Sequence, residues 1–547
     1  MKRRSVLVAA ALLIVLAAAG WLNRKAVILW LVTTLAKDRG IAPYSPVAWN
    51  EGPAAAPAGE RPPNIVFILA DDLGINDISA FGGGVAGGRV ATPNIDRLAK
   101  DGALFAQAYA GTASCAPSRA MILTGRYPTR TGFEFTPTPD GMGRMVSMFS
   151  DNSRSGLPPA DWNREADDKV PPFDEQGLPG SEITIAEILK GAGYHTVHIG
   201  KWHLGSGKEF GANAQGFDES LLMASGLHLP EDDPSVVNAR VDFDPIDRFL
   251  WARMQYAASF NEGPLFAPGG YLADYWTDEA VKVIRANRNR PFFLYLAHWG
   301  VHTPLQATRA DYEAVGDIKP DRLRVYAAMV RSLDRSVGRV LAALKDEGLD
   351  ENTIVVFSSD NGGAGYIGLP DVNAPYRGWK LTMFEGGIRV PLFMRWPARI
   401  APGTRVERPA GHIDLMPTFA AAAGAPLPPG VAIDGIDLLA EAPARADDAL
   451  FWQSAYYRVV RQGDWKLQVT ERPKKTWLFN LAADPTEKTN LADREPARVA
   501  AMTALLDAHR KAGRAPLYPH TIEAPVAIDK TLAERVGPGD ELIYWPN

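Results

Sequence analysis

Residues 64–74 read NIVFILADDLG, and the fold follows from how this stretch is interpreted. After Asn64 the run is apolar as far as Ala70, without the alternation of a half-exposed strand. Such a run is expected of a central parallel strand covered on both faces. It ends in Asp71 and Asp72. Two adjacent acids at the end of a buried strand are either a solvated turn or the start of a site for a hard cation.

The same grammar recurs along the chain. A strand at 194–199 runs into Gly200-Lys201-Trp202-His203, one at 291–297 (PFFLYLA) into His298 and His302, and one at 353–359 (TIVVFSS) into Asp360-Asn361-Gly362-Gly363. Lys201 and His203, two apart, share a side if the backbone stays extended. Helical periodicity separates these strands at 92–102, 183–192, 274–286 and 320–347. The last carries Leu323, Tyr326, Met329, Leu333, Val337, Leu341 and Leu344 on one face. A further strand (390–396) and helix (412–423) follow. This alternation predicts an α/β fold, a large mostly parallel sheet with helices on both faces. Ligands of open α/β sheets bind beyond the carboxyl ends of the strands, so the four polar clusters are expected to share one site. Past residue 445 the pattern changes to short strands at 449–460, 465–471 and 476–481, a helix at 495–512 and a polar tail at 519–547. That predicts a small C-terminal α+β domain with a short antiparallel sheet.

Residues 111–125, GTASCAPSRAMILTG, contain the only cysteine. Ser114 before the first turn, Pro117 within it and Gly125 as a stop predict a helix beginning at Cys115. A lone cysteine is commonly a small buried hydrophobe. At a helix N-terminus, free N–H groups and the dipole instead favour a thiolate or a bound anion.

The bulk numbers exclude several classes. Among 547 residues the net charge is −5, so no basic field points to nucleic acid. One cysteine and nine histidines leave no disulfide framework and no cysteine-rich zinc site. Lys2, Arg3 and Arg4 precede an apolar run at 5–22, with small residues at 17–19 and a second apolar stretch at 26–36. This predicts export, with an uncleaved signal anchor holding the protein at the cytoplasmic membrane and its bulk in the periplasm or otherwise outside the cytoplasm; secretion after cleavage is the alternative. The expected organisation is a membrane-proximal segment (1–40), a linker (41–63), a catalytic domain (64–445) and a C-terminal subdomain with tail (446–547). Two weakly patterned insertions, 133–180 and 213–268, are expected around the site mouth.

Several separated motifs carry a resemblance: NIVFILADDLG, TPNIDRLAKDGALF, CAPSRAMILTGRYPTR, GYHTVHIGKWHLG, PFFLYLAHWGVHTPLQ, VVFSSDNGG, RGWKLTMFEGGIRVP and LFNLAADPTEKTNLA. In this order, over residues 64 to about 491, they resemble the type I sulfatases, the formylglycine-dependent, arylsulfatase-like branch of the alkaline phosphatase superfamily. The resemblance implies that Cys115 is oxidised by a formylglycine-generating enzyme. It implies that Asp71, Asp72, Asp360 and Asn361 bind one divalent cation, with the formylglycine completing its sphere. An oxygen-only set suits Ca2+, with Mg2+ as the alternative. It further implies attack on sulfur by a hydroxyl of hydrated formylglycine, assisted by Asp360. Lys201 and Lys380 neutralise the sulfuryl oxygens, His302 protonates the leaving alcohol, His203 assists collapse of the sulfate hemiacetal, and Arg119 orients the formylglycine. The implied substrate is a sulfated small molecule or a sulfated carbohydrate. His298 is outside the transferred set, and Glu385 and Arg389 read as loop scaffolding. Two alternatives remain: a phosphonate monoester or phosphodiester hydrolase of the same superfamily, in which Gln and His are common where this chain has Asp72 and Asn361, and a membrane-tethered, non-hydrolytic binder of sulfated glycans.

Overall fold

The computed structural model describes residues 40–547 apart from 57–58, 151–154, 245 and 442, together with isolated positions between 15 and 28. The expected signal anchor therefore lies outside the described residues. Among the described residues no helix is long and apolar enough to cross a membrane.

Nine strands form the main sheet: β1 (Asn64–Ala70), β2 (Ala103–Phe105), β3 (His195–Gly200), β4 (Glu219–Met223), β5 (Ala258–Phe260), β6 (Phe292–Ala297), β7 (Thr353–Ser359), β8 (Leu392–Arg395) and β9 (Thr404–Val406). Their spatial order is β9-β2-β8-β7-β1-β6-β3-β4-β5. The central run β7-β1-β6-β3-β4 is parallel throughout. β8 runs antiparallel to both β7 and β2, and β5 antiparallel to β4. Every residue of β1, β3, β6 and β7 is buried, as the apolar composition of β1 and β6 requires, and β3 buries His195, Thr196 and His198 as well.

Two cores sandwich the sheet. One contains Val66, Ile68, Leu294 and Phe357 with the apolar faces of α4 (Leu272–Ala286) and α5 (Asp321–Asp346). The other contains Ile65, Phe67, Phe293 and Val356 with α2 (Cys115–Thr124), α3 (Ile185–Gly191) and α6 (Leu415–Ala422). The alternation within β1 thus sends successive side chains to opposite cores. α1 (Pro93–Lys100) begins one residue inside the expected start, with Pro in its first turn.

The expected strand at 449–460 is two strands, β10 (Ala449–Ser454) and β11 (Tyr457–Gln462), because Ala455 takes a positive φ of 49° and turns the chain. With β12 (Trp465–Glu471) and β13 (Lys474–Asn480) they form an antiparallel meander, against which α7 (Pro496–Ala512) packs. The stretch at 519–547, expected as a polar tail, is ordered differently. Strands Ile522–Ala527 and Leu542–Pro546 pair antiparallel, and the first also pairs with Asp161–Trp162. Ile528, Ile543 and Trp545 enter a core shared with Tyr109, Met121, Phe384 and Trp452. The expected linker likewise runs along the domain, with Ala42 bridged to Phe266 and Trp49 Nε1 donating to Glu279 Oε2 at 2.8 Å.

Gly200 ends β3 with φ +104°, and a Cβ there would lie 1.9 Å from Ala297 O. The bend it permits turns Lys201 toward β1. Gly200→Ala is expected to destabilise the protein by about 2–4 kcal/mol, through backbone strain and displacement of β6, measurable by urea unfolding.

Candidate active site

The four central strands end level. Ala70 pairs with Ser359, Leu69 with Ala297, and Gly200 with Ala297. The residues after them are tied across the sheet's end: Asp360 N–H donates to Ala70 O at 3.1 Å and Asp71 N–H to Gly300 O at 3.0 Å. Asp71, Asp72, Lys201, His302, Asp360 and Asn361 therefore converge although they are up to 290 residues apart in sequence (361 − 71).

α2 points its first turn at this rim, and all ten of its residues are buried. Cys115 and Arg119, four apart, share a helix face. Cys115 Sγ lies 3.6 Å from Asp71 Oδ1 and 3.1 Å from Lys380 Nζ. The Arg119 guanidinium donates to Asp360 Oδ2 (2.8 and 3.0 Å), Asp71 Oδ2 (3.1 Å) and Lys201 O (2.7 Å). Lys201 Nζ is 2.6 Å from Asp71 Oδ2 and sits over the Trp299 ring. Lys380 Nζ bonds both oxygens of Asp72 at 2.7 and 2.9 Å. Three buried carboxylates are thus faced by three buried cations, the pairing that ions in a low dielectric require.

Asp72 has φ +59°. Burial alone would raise its pKa, but Lys380, His302 and Lys201 outweigh burial and hold it below the usual carboxylate range. Lys380, which burial would discharge, is kept well above its ordinary value by Asp72 and Cys115. Burial, then Asp360, pushes the Cys115 thiol up to about 12. Desolvation and the neighbouring carboxylate thus oppose the thiolate that a helix N-terminus favours.

His302 Nε2 is 3.6 Å from Asp72 Oδ2, while Nδ1 lies 2.6 Å from Thr303 O. The carbonyl fixes the tautomer with the proton on Nδ1 and leaves Nε2 toward the cluster. Burial, opposed in part by Asp72, takes its pKa down to about 3. His203 does not continue β3 as an extended residue; its φ is +65°. It nevertheless faces the cluster, and burial followed by Lys201, Arg119 and Lys380 keeps it neutral, with a pKa well below its ordinary value. His298 turns away, its Nε2 2.9 Å from Ser336 Oγ on α5. The sequence reading missed Tyr366, whose hydroxyl donates to Asp72 Oδ2 at 2.7 Å. It follows a glycine-rich loop after β7, and no spacing rule connects it to Asp72.

The donor set suits a hard divalent cation. Among the described residues, ligating atoms of Asp71, Asp72, Cys115 and His302 lie within 4.8 Å of one another. Asn361 Nδ2 donates to Asp72 Oδ1 at 2.8 Å, and its buried carbonyl Oδ1 has no hydrogen-bond partner. Such an orphaned acceptor beside carboxylates fits a bound cation. Asp360 adjoins the group: Arg119 holds its Oδ2, and its Oδ1 accepts the Asp72 N–H at 3.3 Å.

The cluster forms the end wall of a cavity of about 250 Å3, reached by His302, Thr303, Tyr366 and Lys380. Both weakly patterned insertions contribute to it, through Val146 and Leu157 from one and Ile246 and Leu250 from the other.

Known proteins give an independent line. The "Sulfatase" family model matches residues 63–425, and that described as "N-sulphoglucosamine sulphohydrolase, C-terminal" matches 377–511. The chain is 35% identical to dog N-acetylgalactosamine-6-sulfatase over 430 residues, covering 77% of this chain and 72% of that protein. It is 31% identical to mouse steryl-sulfatase, covering 85% of this chain and 84% of that protein. Among solved structures, Ps i-CgsB, crystallised in complex with k-i-k-neocarrahexaose, superposes with a TM-score of 0.68 at 29% identity, covering 84% of this chain and 95% of that one. The chain belongs to the sulfatase family and is a sulfuric ester hydrolase.

Proposed function

We propose that this sulfatase uses formylglycine made from Cys115 by a formylglycine-generating enzyme, together with one Ca2+ held by Asp71, Asp72, Asp360 and Asn361. The observation that carries this reading is the position of Cys115 Sγ, 3.1 Å from Lys380 Nζ and 3.6 Å from Asp71 Oδ1 at the buried start of α2. When bound, the cation would polarise the sulfuryl oxygens and the formylglycine would supply the attacking hydroxyl. Arg119 holds Asp71 and Asp360 in place. Lys201 and Lys380 take the charge that develops on the sulfuryl group. His302, with Nδ1 anchored on Thr303 O, offers Nε2 to the leaving alcohol; the anionic ester favours its protonation. His203, kept neutral, is the base in sulfate release.

The test uses the full chain co-expressed with a formylglycine-generating enzyme. Sulfate release from an aryl sulfate should exceed hydrolysis of an aryl phosphonate monoester; the reverse preference would transfer the chain to the phosphonate hydrolases. Dialysis against a chelator should abolish turnover and lower the melting temperature. Calcium at about 100 times its dissociation constant should restore about 2.7 kcal/mol of stability. Restoration by zinc alone would sink the oxygen-ligand reading.

We further place the catalytic part outside the cytoplasm, on the strength of Lys2-Arg3-Arg4 ahead of the apolar run at 5–22. Protease protection of the chain in intact cells with a permeable outer layer would overturn this.

A further inference from the structure

The cavity beside the catalytic cluster has two chemical characters. Its end wall is cationic and polar, through Lys380 and His302. Its body is apolar: Val146, Leu157, Ile246, Leu250, Val526 and Leu532 come from three separate segments of the chain and face one space. The third segment, 524–532, lies beyond residue 511, where the C-terminal family match ends.

Among the described residues, most polar side chains in the walls are already engaged with the protein, the buried Trp379 Nε1 being an exception. Ser150 Oγ donates to Ser147 O at 3.0 Å and accepts the Ala160 N–H at 2.9 Å. Lys530 Nζ donates to Asp540 Oδ2 at 2.7 Å and Arg535 O at 3.0 Å. Thr531 Oγ1 donates to Glu534 Oε2 at 2.8 Å, and Tyr366 OH is spent on Asp72. Asp244 accepts the Ile246 N–H at 2.9 Å. A sugar ring entering this space would strip water from several hydroxyls and find few partners, a loss an apolar skeleton does not suffer. An apolar cavity of about 150 Å3 already takes a benzene ring. At about 250 Å3 this one has room for a substituted or fused ring.

We propose that the cavity is the leaving-group site of this sulfatase, that its preferred substrates are sulfate esters of ring-bearing apolar alcohols rather than of sugars, and that the 524–532 segment is a specificity-determining wall. This rests on the sulfatase reading and deepens it. Ps i-CgsB, solved with k-i-k-neocarrahexaose, is similar in fold, and part of the selecting wall here comes from the C-terminal ribbon.

The test compares two esters with the same reacting group. Galactose 6-sulfate and cyclohexylmethyl sulfate both carry a primary CH2–O–sulfate on a six-membered ring, but only the first brings hydroxyls. With formylglycine at Cys115 confirmed by peptide mass, kcat/KM is expected to favour the cyclohexylmethyl ester by at least about 100-fold. Val526→Asp and Leu250→Asp, on different segments, should each lower that value by more than about 10-fold, chiefly through KM, with melting curves identifying any variant that fails to fold. In parallel, 2-naphthol should bind the Cys115→Ala protein in calorimetry and fail to bind once Val526→Asp or Leu250→Asp is added. Equal or better turnover of galactose 6-sulfate would overturn the proposal, as would no binding of 2-naphthol, or folded Asp variants that keep the parent kinetics. If neither ester reacts while 2-naphthol binds in the expected pattern, the apolar site stands and the reaction assignment fails instead.

Discussion

Cys115→Ala is expected to fold normally and to release sulfate at least about 10^4-fold more slowly than the parent, the loss typical of removing a covalent nucleophile while leaving the surrounding charges intact. The side chain is 3% exposed and small, so truncation leaves little void. Arg119, Lys201 and Lys380 keep their carboxylate partners in the variant, since none of those ion pairs passes through sulfur. Sulfate release by ion chromatography, beside a melting curve, separates lost chemistry from lost fold. Retention of more than a few per cent of activity would mean that another group attacks sulfur. Because the thiol is held up to about 12, raising the pH of an unconverted preparation toward 9 should not restore turnover.

Glu385→Ala is expected to cost about 3–5 kcal/mol of stability, the range for breaking a buried ion network by removing one partner. Glu385 accepts from Tyr109 OH at 2.8 Å, Arg389 Nη1 at 3.1 Å and Lys466 Nζ at 2.9 Å, and Lys466 also meets Glu487 Oε1 at 3.0 Å. Lys466 and Glu385 side chains are fully buried where the loop after Lys380 meets β12. Burial opposes ionisation of Glu385, but Lys466 and Arg389 prevail and bring its pKa down to about 2. Its contribution is therefore complete above the unfolded value of 4.5 and is lost as pH falls from there toward about 2. The stability difference between parent and variant, from urea unfolding, should be flat above about pH 7, rise slightly toward pH 5 because burial and then Glu385 raise Glu487 to about 7 in the parent, and shrink as pH falls from 4.5 toward 2. A difference that grew below pH 4.5 would contradict the assignment. Glu385 and Arg389 read from the sequence as loop scaffolding; through Lys466 on β12 they also fasten the C-terminal meander to the strip of chain that carries Lys380.

How much was legible in advance depended on the range of the interaction. β1, β6 and β7 announce themselves because burial on both faces leaves only apolar residues, and α5 because a 3.6-residue period persists over 26 residues. The start of α2 was legible from Pro117 and Gly125, although Ser114 does not cap it; its hydroxyl pairs with Thr136 Oγ1 at 2.8 Å instead. The ribbon at 522–546 was not legible. Its residues are only half apolar, and their burial is created by partners at 161–162 and by a core shared with Tyr109 and Phe384.

The site divides in the same way. From the sequence came the α/β class and the convergence of four strand ends, because buried strands and helix starts are written in local residue types; Cys115, Arg119, Asp71, Asp72, Lys201, His203, His302, Asp360, Asn361 and Lys380 became candidates through the resemblance of their motifs to the type I sulfatases. Only the tertiary structure decided which cation faces which carboxylate, that Tyr366 joins Asp72, that burial pushes the Cys115 thiol upward, and that the mouth is largely apolar. Those properties are sums over neighbours brought together from distant positions. Desolvation and Coulomb energies depend on distances in space, which local sequence patterns do not specify.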